Sequence, residues 1–337
     1  MKILFFINSP SNYQLDFFEE LKKKHDVCVI YLNKYSTNHT LRIKKKEWIF
    51  FLNKKKNLLV DKILKKFNPK LIIIGGYKLN IKSSYINKNK IKKLYWLERV
   101  NEGNKIKNII RYLYLKNKLK TADGIFAIGR YARNFYKKFN SNVYNIPYSI
   151  GLEKKIKNYK TPNFLFVGQM INRKGIPSLL NCITKINANE CKFTFVGTGP
   201  LVKNIKKIMK LKKNVYYHNF KNKNELNKIY IKNNILILPS IYDGWGVVII
   251  EAMSRGMAVI SNNNVGASNE YIKHNINGRI FDVDNNLENQ INFYVNNIKK
   301  IKIHGERNRI IFKSNFCYSK NLVKKFNIIL NKINKRI

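Results

Sequence analysis

Short apolar runs alternate with lysine-rich amphipathic segments along the whole chain. The runs include KILFFIN, VCVIYL, LIIIGG and GIFAIG in the first half, and NFLFVG, FTFVG, ILILPS and MAVIS in the second. Such short runs, rich in β-branched and aromatic residues, are typical of buried strands, and the amphipathic segments between them favour helices. The alternation therefore predicts β-α units with parallel sheets.

The alternation is interrupted at the charged segment GLEKKIKNYK, which has no apolar period. A chain of 337 residues is long enough for two domains of ordinary size. We therefore predict a domain over 1–150, a linker over 151–160 and a second domain over 161–315. Residues 316–337 are predicted to form a basic amphipathic helix, which we expect to pack back across the domains.

Composition narrows the class of protein. With 45% hydrophobic and 13% aromatic residues, the chain is expected to be globular. Four cysteines without C-x-x-C spacing indicate reduced, buried thiols of a cytoplasmic protein. Five scattered histidines form no ligand pattern, so no metal or other cofactor is expected. The apolar runs are far shorter than the roughly 18 residues of a membrane-spanning helix.

The chain is strongly basic, with 66 Lys plus Arg against 19 Asp plus Glu and a net charge of +47. A field of this size attracts polyanions such as nucleic acid or an anionic lipid surface. Because the excess lysine is spread along the chain, one interpretation is a solvated lysine-rich surface, and the other is peripheral attachment to an anionic membrane. Specific nucleic-acid binding is not expected, since no helix-turn-helix, KH, RRM or zinc-finger pattern accompanies the charge.

The segment PSIYDGWGVVIIEAM follows the apolar run 235–238, which we predict to be a buried strand. A helix is predicted over 247–255, ending at Gly256. Gly244 and Gly246 then lie where the chain turns into the helix. Unpaired amides at a helix start, with the positive end of the helix dipole, favour phosphate or sugar oxygens.

Two carboxylates flank this turn, Asp243 on the loop and Glu251 in the second turn of the predicted helix. Together they could hold the hydroxyls of a sugar on one side and of a ribose on the other. Taken singly, each has an alternative interpretation, in which Asp243 caps the helix and Glu251 faces solvent.

Two further loops are predicted at the same sheet edge. In VGQMINRKG, Gly168 closes a strand, and Arg173 and Lys174 precede a helix, where two cations would suit a diphosphate. In FVGTGP, Gly197 and Gly199 allow the backbone to approach a ligand closely, or simply form a strand-to-helix turn.

Across residues 162–282, the order of these motifs resembles the retaining GT-B glycosyltransferases of family 4. VGQMINRKG, FVGTGP, PSIYDGWGVVIIEAMSRGMAVIS and VGASNEYI follow that family's motifs in sequence order and at suitable spacing. The resemblance implies an α/β GT-B fold, with two Rossmann-like doubly wound domains facing across a cleft. In the first half, INSPSNYQLDFFEEL and ADGIFAIGRYARNFYKKF look like the acceptor-side domain.

The resemblance also implies roles for individual residues. Asp243 would face the donor sugar, Glu251 would hold the nucleotide ribose, and Lys174 with Arg173 would stabilise the leaving diphosphate. The implied donor-binding residues are Gly168, Gln169, Gly197, Gly199, His218, Phe220, Gly244, Trp245, Gly246 and Val247. Glu98 and Glu102 are the acceptor-side candidates, and their alternative is as ordinary surface carboxylates.

Two residues of these motifs depart from the family pattern. Asp243 stands where the family has glutamate and is one methylene shorter, which changes its reach to the sugar hydroxyls. Gln169 stands where the family commonly has arginine, which removes one phosphate-binding cation unless Arg173 replaces it.

The implied function is a retaining glycosyltransferase that moves a hexose-type sugar from a nucleotide-diphosphate sugar to a glycan or lipid-linked acceptor. Its expected context is cell-envelope polysaccharide or lipopolysaccharide synthesis, in the cytoplasm and peripheral to the inner face of the cell membrane. Two alternatives stay open. One is a catalytically inactive GT-B protein that binds anionic lipid or nucleic acid, and the other is a GT-B nucleotide-sugar epimerase.

Overall fold

The computed structural model describes residues 1–33, 46–52, 56–79, 86, 91–100, 105–187, 190–219, 221–282, 286–316 and 319–334. The chain divides into two compact units. The first comprises Met1–Ser149 and Tyr318–Ile337, and the second is Ile150–Cys317. The segment predicted as a linker, 151–160, therefore lies within the second unit.

The first unit contains a seven-stranded sheet with the order β3-β2-β1-β4-β5-β6-β7. Its recorded strand pairs are all parallel. The strands are β1 (Lys2–Ile7), β2 (Asp26–Tyr31), β3 (Ile49–Phe51), β4 (Leu71–Gly75), β5 (Lys92–Leu97), β6 (Gly124–Ala127) and β7 (Val143–Asn145).

Among the described residues, a helix connects β1 to β2, β3 to β4, β5 to β6 and β6 to β7, as the alternation of apolar and lysine-rich segments predicts. These helices are α1 (Asn12–Lys22), α2 (Lys56–Phe67), α3 (Lys105–Lys120) and α4 (Arg130–Tyr136). The C-terminal helix, Ser319–Asn334, belongs to the same unit and packs on α1, where the rings of Phe17 and Phe326 lie 5.6 Å apart.

The second unit contains a six-stranded sheet with the order β10-β9-β8-β11-β12-β13, and its recorded strand pairs are again parallel. The strands are β8 (Asn163–Val167), β9 (Lys192–Val196), β10 (Val215–His218), β11 (Ile235–Leu238), β12 (Ala258–Asn262) and β13 (Arg279–Phe281). The predicted strand over 235–238 is confirmed, and its four residues are buried as a continuous apolar run requires.

The helices of the second unit alternate with these strands. These helices are α5 (Ile176–Lys185), α6 (Val202–Leu211), α7 (Lys223–Tyr230), α8 (Val247–Arg255), α9 (Gly266–Tyr271), α10 (Leu287–Asn296) and α11 (Ile298–Asn315). A short 3₁₀ turn, Asn172–Lys174, precedes α5. The C-terminal helix of the first unit, Ser319–Asn334, is numbered α12.

Helix α8 has the bounds that the sequence predicts, and Gly256 ends it in the left-handed conformation with φ of 73°. Among the described residues, no helix combines the length and the apolar character needed to cross a bilayer.

Candidate functional site

The candidate site lies at the carboxyl edge of the second sheet, where β8 and β11 are neighbours. The chain leaves β8 toward β9 on one side, whereas β11 continues toward β12 on the other. Open parallel sheets bind ligands at such a reversal of strand order, beyond the carboxyl ends of the strands. The loops that follow β8 and β11 carry the residues predicted to be catalytic.

The turn after β8 packs directly against the loop after β11. Gly175 has φ of 72°, and a Cβ atom at this position would lie 1.9 Å from the carbonyl oxygen of Pro239. The Ile241 amide also donates to the Arg173 carbonyl at 2.9 Å. These contacts fix Arg173 and Lys174 beside the segment that leads to Asp243.

Lys174 and Asp243 form an ion pair between Nζ and Oδ2, although they are 69 residues apart in sequence. Their side chains are only 14% and 15% exposed, so little water screens the pair. The Arg173 guanidinium donates to the Tyr242 carbonyl at 2.6 Å. The structure thus brings together three of the four residues predicted to be catalytic.

Asp243 does not cap the helix, so that alternative is wrong. The N-cap of α8 is Gly246, and no side chain caps the helix. The backbone carbonyl of Asp243 accepts a hydrogen bond from the Gly266 amide at 3.2 Å. Its side-chain carboxylate pairs with Lys174 instead of capping the helix.

The turn between Asp243 and the helix packs against the start of α9. Gly246 has φ of 82°, and an added Cβ would lie 2.6 Å from a methyl group of Val265. A Cβ on Gly266 would lie 2.4 Å from the Gly244 carbonyl oxygen. Within the described part of the chain, the amides from Gly244 to Val247 donate to no acceptor. Such amides at a helix start can bind an anionic group.

Trp245 differs from its neighbours in this turn because its indole ring is turned into the protein interior. The side chain is 1% exposed, and its ring lies 6.2 Å from that of Tyr271 in an edge-on arrangement. Of the groups on Trp245, only the backbone remains available to a ligand at the sheet edge.

Glu251 lies in the second turn of α8, as predicted, but it does not face solvent as a free surface carboxylate. It is partly buried, and its Oε2 accepts a hydrogen bond of 2.7 Å from the Tyr230 hydroxyl. The alternative of a solvent-facing glutamate is therefore wrong. Among the described residues, Oε1 has no recorded hydrogen-bond donor.

Tyr230 is a functional candidate that sequence reasoning missed. It is fully buried, and burial, followed by the neighbouring Glu251 carboxylate, raises its pKa well above its ordinary value. The Arg255 guanidinium stacks over its ring at 4.2 Å and also donates to the Glu251 carbonyl at 2.8 Å. In the sequence, Tyr230 is one aromatic residue in an amphipathic helix, and its only signal is that a buried tyrosine hydroxyl usually has a partner.

The glycines after β8 and β9 hold these two loops together. A Cβ on Gly197 would lie 1.9 Å from the Gly168 carbonyl oxygen, and one on Gly199 would lie 2.5 Å from the Met170 carbonyl oxygen. Both glycines have positive φ, 141° and 150°. They are therefore required by close backbone packing at the site edge, whether or not they contact a ligand.

The remaining donor-side candidates lie near this edge or outside the described residues. Gln169 follows Gly168 and is partly buried. His218 ends β10, where burial, then Lys221 and Lys232, lower its pKa, and its carbonyl accepts from the Gly197 amide at 3.1 Å. Phe220 lies outside the described residues.

Of the acceptor-side candidates, Glu102 also lies outside the described residues. Glu98 lies in the first unit, directly after β5, and its side chain is exposed. Burial raises the pKa of Tyr148, and the Glu98 carboxylate raises it further. The Tyr148 ring lies 4.4 Å from that of Tyr13.

Across the described ranges, no group of three or more His, Cys, Asp or Glu side chains could hold a metal ion.

Residues 152–311, just under half of the chain, match the family model described as "Glycosyl transferases group 1". An uncharacterized glycosyltransferase of Methanocaldococcus jannaschii is 31% identical over 118 residues. That match covers 34% of this chain and 30% of the relative, so the chain spans about a third of the length of the relative.

The solved structures that cover all or nearly all of this chain include a sucrose-phosphate synthase and a HepE protein. Sucrose-phosphate synthase from Thermosynechococcus elongatus has a TM-score of 0.79 at 14% identity and covers 100% of both chains. Anabaena HepE has a TM-score of 0.77 at 15% identity and covers 98% of this chain and 99% of its own. With the two parallel sheets, these structures confirm the predicted α/β GT-B fold. The family match and the relative support a GT-B glycosyltransferase.

Proposed function

We propose that this chain is a retaining glycosyltransferase, which transfers a hexose-type sugar from a nucleotide-diphosphate sugar to a glycan or lipid-linked acceptor. The observation that carries the proposal is the Lys174–Asp243 ion pair beside the start of α8. A cation, a carboxylate and unpaired helix amides meet there at the reversal of strand order. A diphosphate joined to a sugar needs donors for its phosphates and an acceptor for its sugar hydroxyls.

The leaving diphosphate would be held by the amides from Gly244 to Val247 and by Lys174. When the bond from the sugar C1 to the diphosphate breaks, negative charge grows on the leaving oxygen. Fixed donors in a partly buried site stabilise that charge without reorganising. Lys174 is 14% exposed, so its interaction with the diphosphate would be weakly screened. Arg173 is anchored to the Tyr242 carbonyl and would add charge at longer range.

Asp243 would orient the donor sugar by accepting hydrogen bonds from its hydroxyls. Retention requires no protein nucleophile if the acceptor oxygen attacks C1 on the face from which the diphosphate departs. In that step the new C–O bond forms as the C1–phosphate bond breaks, and the acceptor proton passes to the leaving phosphate oxygen. No protein-held metal is proposed for this step.

Glu251 would hold the ribose of the nucleotide. Tyr230 engages Oε2 at 2.7 Å, so the carboxylate is fixed before the ligand binds. The remaining oxygen, Oε1, is the one that we assign to the ribose hydroxyls. Two carboxylates with different partners thus have different proposed tasks.

For the acceptor we propose candidate residues, and for the sugar and the base we propose a class of donors. Glu98, after β5 in the first unit, is our acceptor-side candidate, and Glu102 is the second. HepE was solved with UDP and glucose, so UDP-hexoses are the first donors to test. We propose cytoplasmic envelope polysaccharide or lipopolysaccharide synthesis as the context. In line with a reducing compartment, Cys28, Cys182 and Cys191 are buried free thiols.

A donor screen tests the proposal. Nucleotide sugars would be added at elevated salt, which suppresses adventitious anion binding to a chain of charge +47. Thermal stabilisation and slow donor hydrolysis would be measured for the wild type and for Glu251→Ala. The matched control is Glu306→Ala, because Glu306 is a glutamate of the same unit whose side chain is 42% exposed and is paired with Lys155 rather than with a residue of the site.

The proposal predicts that one donor stabilises the wild type and Glu306→Ala and is hydrolysed by both, whereas Glu251→Ala loses both responses and stays folded. Full turnover by Glu251→Ala would refute the assignment of Glu251. A stable protein that responds to no donor would favour the inactive, polyanion-binding alternative. Interconversion of the donor sugar without release of nucleoside diphosphate would identify an epimerase.

A further inference from the structure

Helix α3 of the first unit carries apolar side chains on two opposite faces. One face is buried in the core of the unit through Leu115 and Leu119, which are both 0% exposed. The opposite face presents Ile106, Ile109, Ile110 and Leu113, which are 70%, 62%, 64% and 55% exposed. Only the first of these faces is explained by the fold.

The exposed apolar residues form one continuous stripe. Their spacing of three, four and seven residues places them on the same side of a helix with 3.6 residues per turn. Four large aliphatic side chains, each more than half exposed, differ from the single exposed apolar residues that any surface carries. We refer to Ile106, Ile109, Ile110 and Leu113 as the apolar stripe.

Lysines border the apolar stripe on both sides. Around the helix, Lys107 lies to one side of the stripe and Lys116 lies at its other edge, whereas Lys120, seven residues after Leu113, lies beyond the C-terminal end of the stripe; all three are exposed. The sequence of the helix, KIKNIIRYLYLKNKLK, contains no acidic residue. Lysine side chains can lay their methylene stems beside apolar surface and keep their ammonium groups at the level of lipid phosphates.

We infer that α3 lies on the surface of an anionic lipid bilayer, with the apolar stripe at the headgroup–acyl boundary and the bordering lysines on lipid phosphates. A helix with an apolar stripe, basic flanks and no acidic residue has the character of an interfacial helix. Its 16 residues span about 24 Å along the axis, which suits a helix lying in the membrane plane. The inference goes beyond the proposed function and does not depend on it.

Two other occupants fit the surface less well. A second copy of the chain would bring lysines against lysines, in a protein of net charge +47. A nucleic acid would pair with the lysines but would leave the apolar stripe without a partner. An anionic bilayer matches both the charge and the apolar area.

Flotation with vesicles tests the inference. The full chain would be mixed with vesicles of phosphatidylcholine alone, or with about one third phosphatidylglycerol, at low and at elevated salt. The test variant is Ile109→Gln with Ile110→Gln and Leu113→Gln, since glutamine is a good helix former. The control is Leu211→Gln with Ile310→Gln and Ile328→Gln, which changes three other exposed residues, 75%, 67% and 58% exposed.

The inference predicts that wild type and control float with anionic vesicles, and that the stripe variant partitions at least about tenfold less. A charge variant, Lys116→Glu with Lys120→Glu, should lose at least ~25-fold, because each lysine near an anionic surface contributes roughly fivefold. The matched change Lys206→Glu with Lys207→Glu, on α6 of the second unit, should lose much less.

Equal partitioning of the stripe variant and the wild type would overturn the inference, because the charge alone would then explain binding. Self-association of the wild type in sedimentation, abolished in the stripe variant without any change in flotation, would identify a second copy as the occupant and would also overturn it. Donor hydrolysis without vesicles is measured in parallel. Because α3 is not assigned to the donor site, a membrane-binding defect with normal hydrolysis separates this inference from the proposed function.

Discussion

Replacing Tyr230 by phenylalanine removes one hydroxyl and little else. The hydroxyl donates to Glu251 Oε2 at 2.7 Å inside the second unit. The ring, over which the Arg255 guanidinium stacks at 4.2 Å, remains in Tyr230→Phe. The variant therefore tests whether this hydrogen bond holds Glu251 in place for the donor.

The expected size of the effect follows from the type of bond. A hydrogen bond to a charged group contributes about 1.5–3 kcal/mol, and this one is partly buried. We expect Tyr230→Phe to lower the free energy of unfolding by about 2 kcal/mol. If Glu251 binds the ribose, a carboxylate that is no longer fixed should also weaken donor binding by about tenfold, which is about 1.4 kcal/mol.

Urea unfolding and donor titration at elevated salt measure the two effects separately. The matched control is Tyr294→Phe, which removes another buried hydroxyl of the same unit, one that lies 2.7 Å from His304 Nδ1. The control should lose stability and keep the donor affinity of the wild type. Donor affinity unchanged in Tyr230→Phe, despite a loss of stability, would refute the positioning role of Tyr230.

Two further predictions concern stability. Gly175→Ala should lower the free energy of unfolding, measured by urea denaturation, by more than about 2 kcal/mol, because φ is 72° and the new Cβ would meet the Pro239 carbonyl. The control is Gly151→Ala, whose new Cβ would have no atom within 4 Å, and it should leave the free energy of unfolding nearly unchanged. Burial, and to a smaller extent the charge of Lys300, lower the pKa of His304 from 6.5 to about 4. Between pH 6.5 and pH 4 the unfolded chain therefore binds more protons than the folded chain. The free energy of unfolding should therefore fall by up to about 3 kcal/mol as pH decreases from 6.5 to 4. In urea unfolding at several pH values, His304→Gln should lack this part of the pH dependence. Identical pH profiles for the variant and the wild type would contradict the lowered pKa of His304.

Local features of the site could be predicted from the sequence. The strand Ile235–Leu238 is a continuous apolar run bounded by proline, and helix α8 ends at Gly256, whose left-handed conformation favours glycine. In both cases the residues that predict the element belong to the element or directly adjoin it.

The contacts between loops could not be predicted in this way. Lys174 and Asp243 meet because β8 and β11 are neighbours in the sheet, and no local pattern records that order. The same holds for Tyr230 and Glu251, which come from different helices. The family resemblance supplied roles for the two carboxylates, but it did not indicate which side chains hold them.

Trp245 shows a further limit of reading motifs. The motif places Trp245 at the donor site between Gly244 and Gly246 but does not specify where its ring points; the indole is 1% exposed and lies against Tyr271. The direction of a side chain in a tight turn depends on backbone angles and on the surface available for burial, which the sequence pattern does not specify.

The most direct test of the proposed reaction is a proton NMR time course of an α-linked nucleotide hexose with the wild-type chain and with Asp243→Asn, at elevated salt. The account predicts that the wild type releases nucleoside diphosphate and that the first-formed hexose, or the transferred residue when an acceptor is present, has the α configuration. Asp243→Asn should bind the nucleotide diphosphate and release hexose far more slowly. A first-formed β-hexose would contradict retention, and equal rates for the two proteins would contradict the role of Asp243.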